Sequence, residues 1–226
     1  MPIFKTINQD FFKKWTPEMA YVLGFFTADG CMIKHKNGGH YIEIYITDLD
    51  ILEKIKDTMG SNHKISMRDR RSSNQNLKIG YRFQVGSKEI FNDLLIFGLS
   101  PAKSHIVRMP EIPKKFLSHY VRGYFDGDGH VSSCEYQKKD RKNKSRIIIT
   151  GFTSGSKKFL EDLLSQLKNS GIVTGGSLHL TDVYHVCFSI RDSLKLYNFM
   201  YKNSNDLYLE RKKSIFRHYF SNLLGA

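Results

Sequence analysis

The chain has 226 residues, and 35 Lys and Arg against 22 Asp and Glu give it a formal charge of +13 and a pI near 9.6. That length allows one large domain or two small ones, and the positive excess favours a polyanionic partner, nucleic acid before a membrane surface. No apolar run approaches a membrane span, the N-terminus lacks a secretion-signal pattern, and Cys31, Cys134 and Cys187 form no CxxC pair; a disulfide framework and a zinc site are therefore not expected, and the cysteines read as partly buried packing in a reducing, intracellular compartment.

In chain order, "TPEMAYVLGFFTADG" predicts a helix with Thr16 as N-cap, Pro17 at the first helical position and Gly30 at the exit. "CMIKHKNGGHYIEIYITD" predicts a hairpin turning at Asn37-Gly38-Gly39. "DLDILEKIKDTMG" has Leu49, Leu52, Ile55 and Met59 at helical spacing and closes on Gly60. "HKISMRDR" and "LKIGYRFQVG" read as a second hairpin with a longer polar loop, and "SKEIFNDLLIFGL" as a helix capped by Ser87 and stopped by Gly98 and Pro101.

The stretch "SPAKSHIVRMPEIPKK" reads as a linker. After it the order recurs: a helix in "PKKFLSHYVRGYFDGDG", strands in "HVSSCEYQ" and "RIIITGFT", a helix in "SGSKKFLEDLLSQLKNSG", a hairpin in "GSLHLTDVYHVCFSI", a helix in "DSLKLYNFMYKN", and a basic-aromatic helix in "LYLERKKSIFRHYF". Helix–hairpin–helix–hairpin–helix is thus written twice, with subdomains expected at 1–108 and 109–226.

Strand alternation predicts antiparallel sheets with one greasy and one polar face. Ile42, Ile44 and Ile46, then Leu77, Ile79, Tyr81, Phe83 and Val85, then Ile65 and Met67 should face a core. The other face collects Lys34, Lys36, Glu43, Tyr45, Lys64, Arg68, Arg70, Lys78, Arg82 and Gln84, a candidate nucleic-acid platform. Arg and Lys can pair with guanine O6 and N7, and Gln with adenine. The run from Lys138 to Arg146, carrying Lys138, Lys139, Arg141, Lys142, Lys144 and Arg146, reads as an extended hairpin loop able to follow phosphates.

Two stretches occupy matching places in the repeat, "VLGFFTADG" at 22–30 and "VRGYFDGDG" at 121–129. Both end an apolar helix on a carboxylate, where the helix dipole disfavours an anion. Ala20, Gly24 and Ala28 are spaced four apart, as are Gly123 and Gly127, so each helix presents a small-residue stripe through which two backbones can approach closely. Such packing would bring Asp29 and Asp128 side by side, and a divalent cation would offset the repulsion: Mg²⁺ takes oxygen ligands and is usually held by one or two carboxylates plus substrate phosphates.

These two motifs resemble the signature of LAGLIDADG homing endonucleases in their single-chain, two-motif form. "GLSPAKS" at 98–104, the lead-in "PEIPKKFLSHYVRGYFDGDG" and "YLERKK" at 208–213 add to the resemblance, which covers nearly the whole chain. The first motif departs at Thr27, where the family usually has Asp; Asp29 and Asp128 both hold the eighth position. The resemblance implies an α+β fold of two pseudo-symmetric αββαββα subdomains, saddle-shaped antiparallel sheets along duplex DNA, and motif helices packed at the subdomain interface. It implies a monomer that makes a staggered double-strand break at a long asymmetric site, intron-encoded and with no membrane partner. Metal would lie between Asp29, Asp128, the scissile phosphates and the carbonyls of Ala28 and Gly127. Mg²⁺ or Mn²⁺ would support cutting, and Ca²⁺ would bind without supporting it.

Lys103 matches the family's basic residue after the helix closing the first half. In the second half the match is Lys212 or Lys213, with Lys212 favoured because it completes "LERK". Glu43, Thr47 and Thr150 are candidates for orienting water. The rival on the same scaffold is a binding protein: an intron RNA maturase with host intron RNA as partner, or a catalytically silent DNA-binding protein. Beginning with Met and lacking splice-junction residues, the chain is expected to be free-standing.

Overall fold

The computed structural model describes residues 4–69, 71–72, 75, 78–101, 106–137 and 145–224, with side chains through 221. The elements run α1 (Pro17–Asp29), β1 (Gly30–Lys34), β2 (His40–Ile46), α2 (Leu49–Thr58), β3 (Ser66–Arg68), β4 (Gly80–Gly86), α3 (Lys88–Ile96), α4 (Leu117–Asp128), β5 (Gly129–Tyr136), β6 (Ser145–Ser154), α5 (Lys157–Asn169), β7 (Ser177–Leu180), β8 (Tyr184–Phe188), α6 (Ile190–Tyr201) and α7 (Glu210–Leu224). The doubled order expected from the sequence is present, with α7 added after the second copy. Each half carries a four-stranded antiparallel sheet of the same topology, β1-β2-β4-β3 and β5-β6-β8-β7.

Two compact units can be distinguished. One takes the N-terminal part together with Pro110–Gly127 and Asn205–Leu207, so α4 packs with it through Gly127; the other holds Asp128–Ser204 and the chain from Tyr208 onward. In the first, Ile42, Ile44, Phe83 and Val85 of the sheet are buried along with Ile51, Leu52 and Ile55 of α2 and Ile90, Phe91 and Leu94 of α3. In the second, Ile148, Phe152, Val186 and Phe188 are buried along with Phe159, Leu160, Leu163 and Leu167 of α5, Leu196 and Met200 of α6, and Phe216 of α7. Burying one face of each sheet under amphipathic helices is what the alternation demands.

The helix starts follow their capping residues. Thr16 accepts from the Met19 N–H at 3.0 Å, Ser87 from Ile90 at 3.1 Å and Ser156 from Phe159 at 3.3 Å. The β1–β2 hairpin turns at Gly38, whose φ of +86° suits glycine. The second hairpin is shorter than expected, with β3 reduced to Ser66–Arg68 and β4 starting at Gly80. Met67 is a correction: it shares the inward register with Tyr81 but is 63% exposed, because this short edge strand runs past the helices that cover β2 and β4. His63, just before that strand, is buried instead, with its ring edge-on to Phe83. The cysteines also differ from expectation: Cys187 is half-buried, whereas Cys31 on β1 and Cys134 on β5 are exposed. Among the described residues, no helix is long and apolar enough to cross a membrane.

Candidate active site at the paired motif helices

α1 and α4 touch backbone to backbone. A Cβ added at Gly24 would lie under 3.0 Å from the carbonyl oxygen of Tyr120, and one at Gly123 would lie equally close to that of Tyr21. The contacts are reciprocal, Gly24 against Tyr120 and Tyr124, Gly123 against Tyr21 and Phe25. Ala20 is fully buried on the same stripe of α1. Small residues are needed here because the helix axes are closer than any side chain permits.

The same crossing accounts for the departure at the sixth motif letter. The Tyr21 hydroxyl donates to Asp126 Oδ2 at 2.8 Å, and the Tyr120 hydroxyl donates to Thr27 Oγ1 at 3.2 Å. Each motif helix thus supplies an acceptor for the tyrosine of the other, a hydroxyl in one copy and a carboxylate in the other. Thr27 in turn donates to its own helix at Leu23 O, 2.7 Å away. Burial raises the Tyr120 phenol well above its ordinary value, so it remains a donor.

The helices end on the two eighth-position carboxylates. Asp29 and Asp128 are half-buried, and neither helix has a basic residue in its last turn. Gly127, immediately before Asp128, packs against the end of α1: a Cβ there would fall under 3.0 Å from the Ala28 Cβ and 3.2 Å from Asp29 Oδ2. All the donors offered, carboxylates and the carbonyls of Ala28 and Gly127, are hard oxygens. Among the described residues no group of three or more His, Cys, Asp or Glu side chains could hold a metal ion. Hard oxygen donors of this kind fit a Mg²⁺-type ion completed by phosphate and water.

Around these ends, Lys212 and Lys213 separate clearly. Lys212 is buried, and its Nζ donates to the Gly129 carbonyl at 2.6 Å, one residue past Asp128. Lys213 lies 3.6 Å from the centre of the Tyr208 ring and reaches Ser204 Oγ at 3.3 Å. The structure thus brings Lys212, not Lys213, to the motif end. Lys103 falls outside the described residues. Thr150 is fully buried, while Thr47 is exposed.

Sequence reasoning missed Arg122. The sequence reading gave it no role, yet it is fully buried. Nε donates to Leu207 O at 2.9 Å, and Nη2 donates to Asn205 Oδ1 and His119 Nδ1, both at 3.1 Å. Asn205 continues the chain of bonds to Glu18 Oε1 at 2.7 Å. Arg122 therefore fastens the segment leading into α7 to the motif helices. Burial, and then the Arg122 charge, push the His119 imidazole down to about 4, so it stays neutral and accepts the guanidinium hydrogen. An Arg inside a motif otherwise made of apolar and small residues was the available signal.

The open face of the first sheet carries Glu43, Tyr45, Arg82, Gln84 and Arg68 in register, with Glu43 opposite Gln84 and Tyr45 opposite Arg82. Gln84 Nε2 donates to Glu43 Oε2 at 3.0 Å and Arg82 lies 3.6 Å from the same oxygen, so the acid holds both side chains. Lys64 and Lys78 are exposed beside these strands, and Lys36 is exposed in the β1–β2 turn. Lys34 differs: it shares its register with the buried Met32, towards the helix-covered side, because the β1 register places Cys31 and Ile33 outward. Arg146 also differs, being ion-paired to Glu135 and grouped with Ser214, Ile215 and His218 of α7 rather than with the open face. Arg70, Lys138, Lys139, Arg141, Lys142 and Lys144 lie outside the described residues.

Paired helices ending in carboxylates, each followed by a strand of a four-stranded sheet, define a duplicated architecture that known proteins share. A family model described as a LAGLIDADG-like domain matches residues 16–97 and 115–198. The chain belongs to this family. Its relatives include the probable translation initiation factor IF-2 of Thermococcus kodakarensis, 38% identical over 99 residues, which are 42% of this chain and 7% of that protein. The probable IF-2 of Methanocaldococcus jannaschii is 28% identical over 149 residues, 63% of this chain and 11% of that protein. The chain thus corresponds to a small part of either relative. Among solved structures, the LAGLIDADG meganuclease I-AabMI bound to uncleaved DNA superposes with a TM-score of 0.62 at 14% identity, covering 93% of this chain and 92% of that one. The homing endonuclease I-WcaI bound to its DNA recognition sequence gives 0.60 at 17% identity, covering 91% and 90%. At such identities the likeness shows the fold.

Proposed function

We propose that the chain is a site-specific double-strand DNA endonuclease that hydrolyses phosphodiester bonds with a divalent metal, acting as a monomer on a long asymmetric target. The observation that supports this best is the placement of Asp29 and Asp128 at the ends of two motif helices, with Gly127 closed against Ala28 and Asp29. A bound Mg²⁺ would supply an acidified water and a Lewis acid for the charge that grows on phosphorus. Asp29, Asp128 and the Ala28 and Gly127 carbonyls would hold it.

The remaining work belongs to the chain's own residues. Lys212 holds an ammonium beside the second motif end, where it can stabilise a phosphoryl oxygen; Lys103 is assigned the same duty in the first half. Arg82, Gln84, Tyr45 and Arg68 present hydrogen-bonding groups for base edges, and the net charge of +13 supplies affinity for the backbone that falls as salt rises. Intron encoding, a reducing intracellular setting and host intron RNA as a further partner accompany this reading as proposals.

Incubation with a randomised duplex library and Mg²⁺, followed by sequencing of cut ends, tests it. The expected product is one long site with staggered ends. Asp29→Asn and Asp128→Asn should each abolish double-strand cutting while specific binding survives. Undiminished cutting by both variants would remove the assignment.

A further inference from the structure

The second sheet does not repeat the chemistry of the first. In β5 to β8 the charged residues are Glu135 and Arg146, which pair with each other on the α7 side of the sheet. The opposite face carries His130, Ile147, Ile149, His179, His185 and Cys187, with serines between them. Ile149 is 37% exposed on it. β6 also breaks the alternation that marks a half-solvated strand: Ile147, Ile148 and Ile149 follow one another, with Ile148 alone in the core. Consecutive branched apolar residues mark a strand covered on both faces. α5 and α6 cover one face, and Ile147, Ile149, Ser177 and Cys187 of the other border an open groove of about 370 Å³ that also reaches Ile148, Phe188 and the start of α6 at Ser189 and Ile190.

The imidazoles are held in fixed positions across this face. Gly151 leaves room for the His130 ring, since a Cβ there would meet its Cε1 under 3.0 Å. His179 stacks on His185 with centroids 5.3 Å apart, and Thr181 and Thr153 bracket His185 at 3.0 and 3.2 Å.

Strand order and pairing make this the counterpart of the face that carries Arg82 and Gln84. In the major groove a thymine methyl is the apolar group a base edge offers, and it is met by apolar side chains. Resting on the DNA-binding reading above, we propose that the second sheet recognises its half of the target through contact of Ile147 and Ile149 with thymine methyl groups, flanked by the histidines as hydrogen-bonding partners of base edges. The half-site under this sheet is therefore rich in A·T pairs, and the half-site under Arg82 and Gln84 is the one specified by hydrogen bonds.

The test uses the full chain and the site selected from the randomised library. Each thymine is replaced singly by deoxyuracil, which removes the methyl and nothing else, and binding is measured with and without Ile149→Thr, a substitution that keeps a β-branched strand residue. The half read by the first sheet is identified as the one whose base preference relaxes in Arg82→Ala. The expected result is a loss of about threefold to fourfold per contacted methyl, confined to the other half and abolished at one or two positions by Ile149→Thr. Selection of a site whose binding ignores the methyls of that half, or whose methyl effects survive Ile149→Thr, would overturn this inference and leave the endonuclease reading standing. Failure to select any site would overturn the endonuclease reading itself. A solution dimer broken by Ile149→Thr and not dispersed by DNA would place a second copy on this face and would equally overturn the inference.

Discussion

Gly24→Ala sets two physical effects against each other with opposite signs. Intrinsic helix propensity favours alanine over glycine by about 1 kcal/mol in a helix interior. Against that, the new methyl would sit under 3.0 Å from the Tyr120 carbonyl oxygen and 3.0 Å from the Tyr124 nitrogen. These are backbone atoms of a second helix and cannot rotate away. Restoring ordinary contact distances requires α1 and α4 to part by about 1 Å, and overpacking of this kind costs about 1–3 kcal/mol. With the upper part of that range appropriate to a backbone clash, the net loss is about 1–2 kcal/mol. At a urea m-value of about 3 kcal/mol per M, the unfolding midpoint should fall by about 0.3–0.7 M. Cutting should suffer more, because a shift of about 1 Å in reacting groups costs about 100-fold in rate. Gly123→Ala should behave alike, and the double variant should cost less than the two losses together, since one separation relieves both clashes. Circular dichroism in urea and a plasmid-cutting assay report the two quantities. A Gly24→Ala protein as stable as its parent or more so would show that propensity governs and that the helices are not in backbone contact.

Lys212→Met should slow cutting by more than tenfold while binding changes little, whereas Lys213→Met should lower stability through the lost contact with the Tyr208 ring and leave the cutting rate nearly unchanged; the reverse pattern would exchange their roles. His119, neutral in the fold with its pKa near 4, takes up a proton on unfolding below its ordinary value of 6.5. The unfolded chain binds the extra proton, so stability falls as pH drops from about 6.5 to about 4, by up to about 1.4 kcal/mol per pH unit. His119→Gln, which keeps an acceptor for Arg122, should flatten that slope in urea melts at pH 4.5 and 7; an unchanged slope would assign the dependence elsewhere. Tyr21→Phe removes a buried donor from a carboxylate and should cost about 1–3 kcal/mol, more than Tyr120→Phe, whose partner Thr27 keeps its own bond to Leu23; equal losses in thermal melts would show that the two acceptors are not distinguished by charge.

Most of the architecture was legible because it is local. Thr16, Ser87 and Ser156 announce helix starts through side-chain acceptors, and the period-two run from Ile42 to Ile46 announces a strand with one buried face. What escaped detection depends on contacts distant in sequence. Nothing near Arg122 indicates that Leu207 and Asn205 will surround it. Lys212 and Lys213 are adjacent on one helix, and what separates them is where Gly129 and Tyr208 lie. Met67 fits the inward pattern of its strand, and its exposure follows from how far the covering helices reach.

The motif letters vary in proportion to how reciprocal their contacts are. At Gly24 and Gly123 each helix meets the backbone of the other, and no side chain substitutes for an absent one, so both copies keep glycine. One turn on, the requirement is an acceptor for a tyrosine hydroxyl, which threonine and aspartate both satisfy, and there Thr27 and Asp126 have diverged. The open sheet faces carry no such close backbone contact among the described residues. They have diverged furthest, to Arg82 and Gln84 in one half and Ile147 and Ile149 in the other. Divergence confined in this way keeps the contact of α1 with α4 reciprocal at Gly24 and Gly123 while the two sheet faces differ in chemistry. Under the proposed function, the target would have chemically different halves, one for each face.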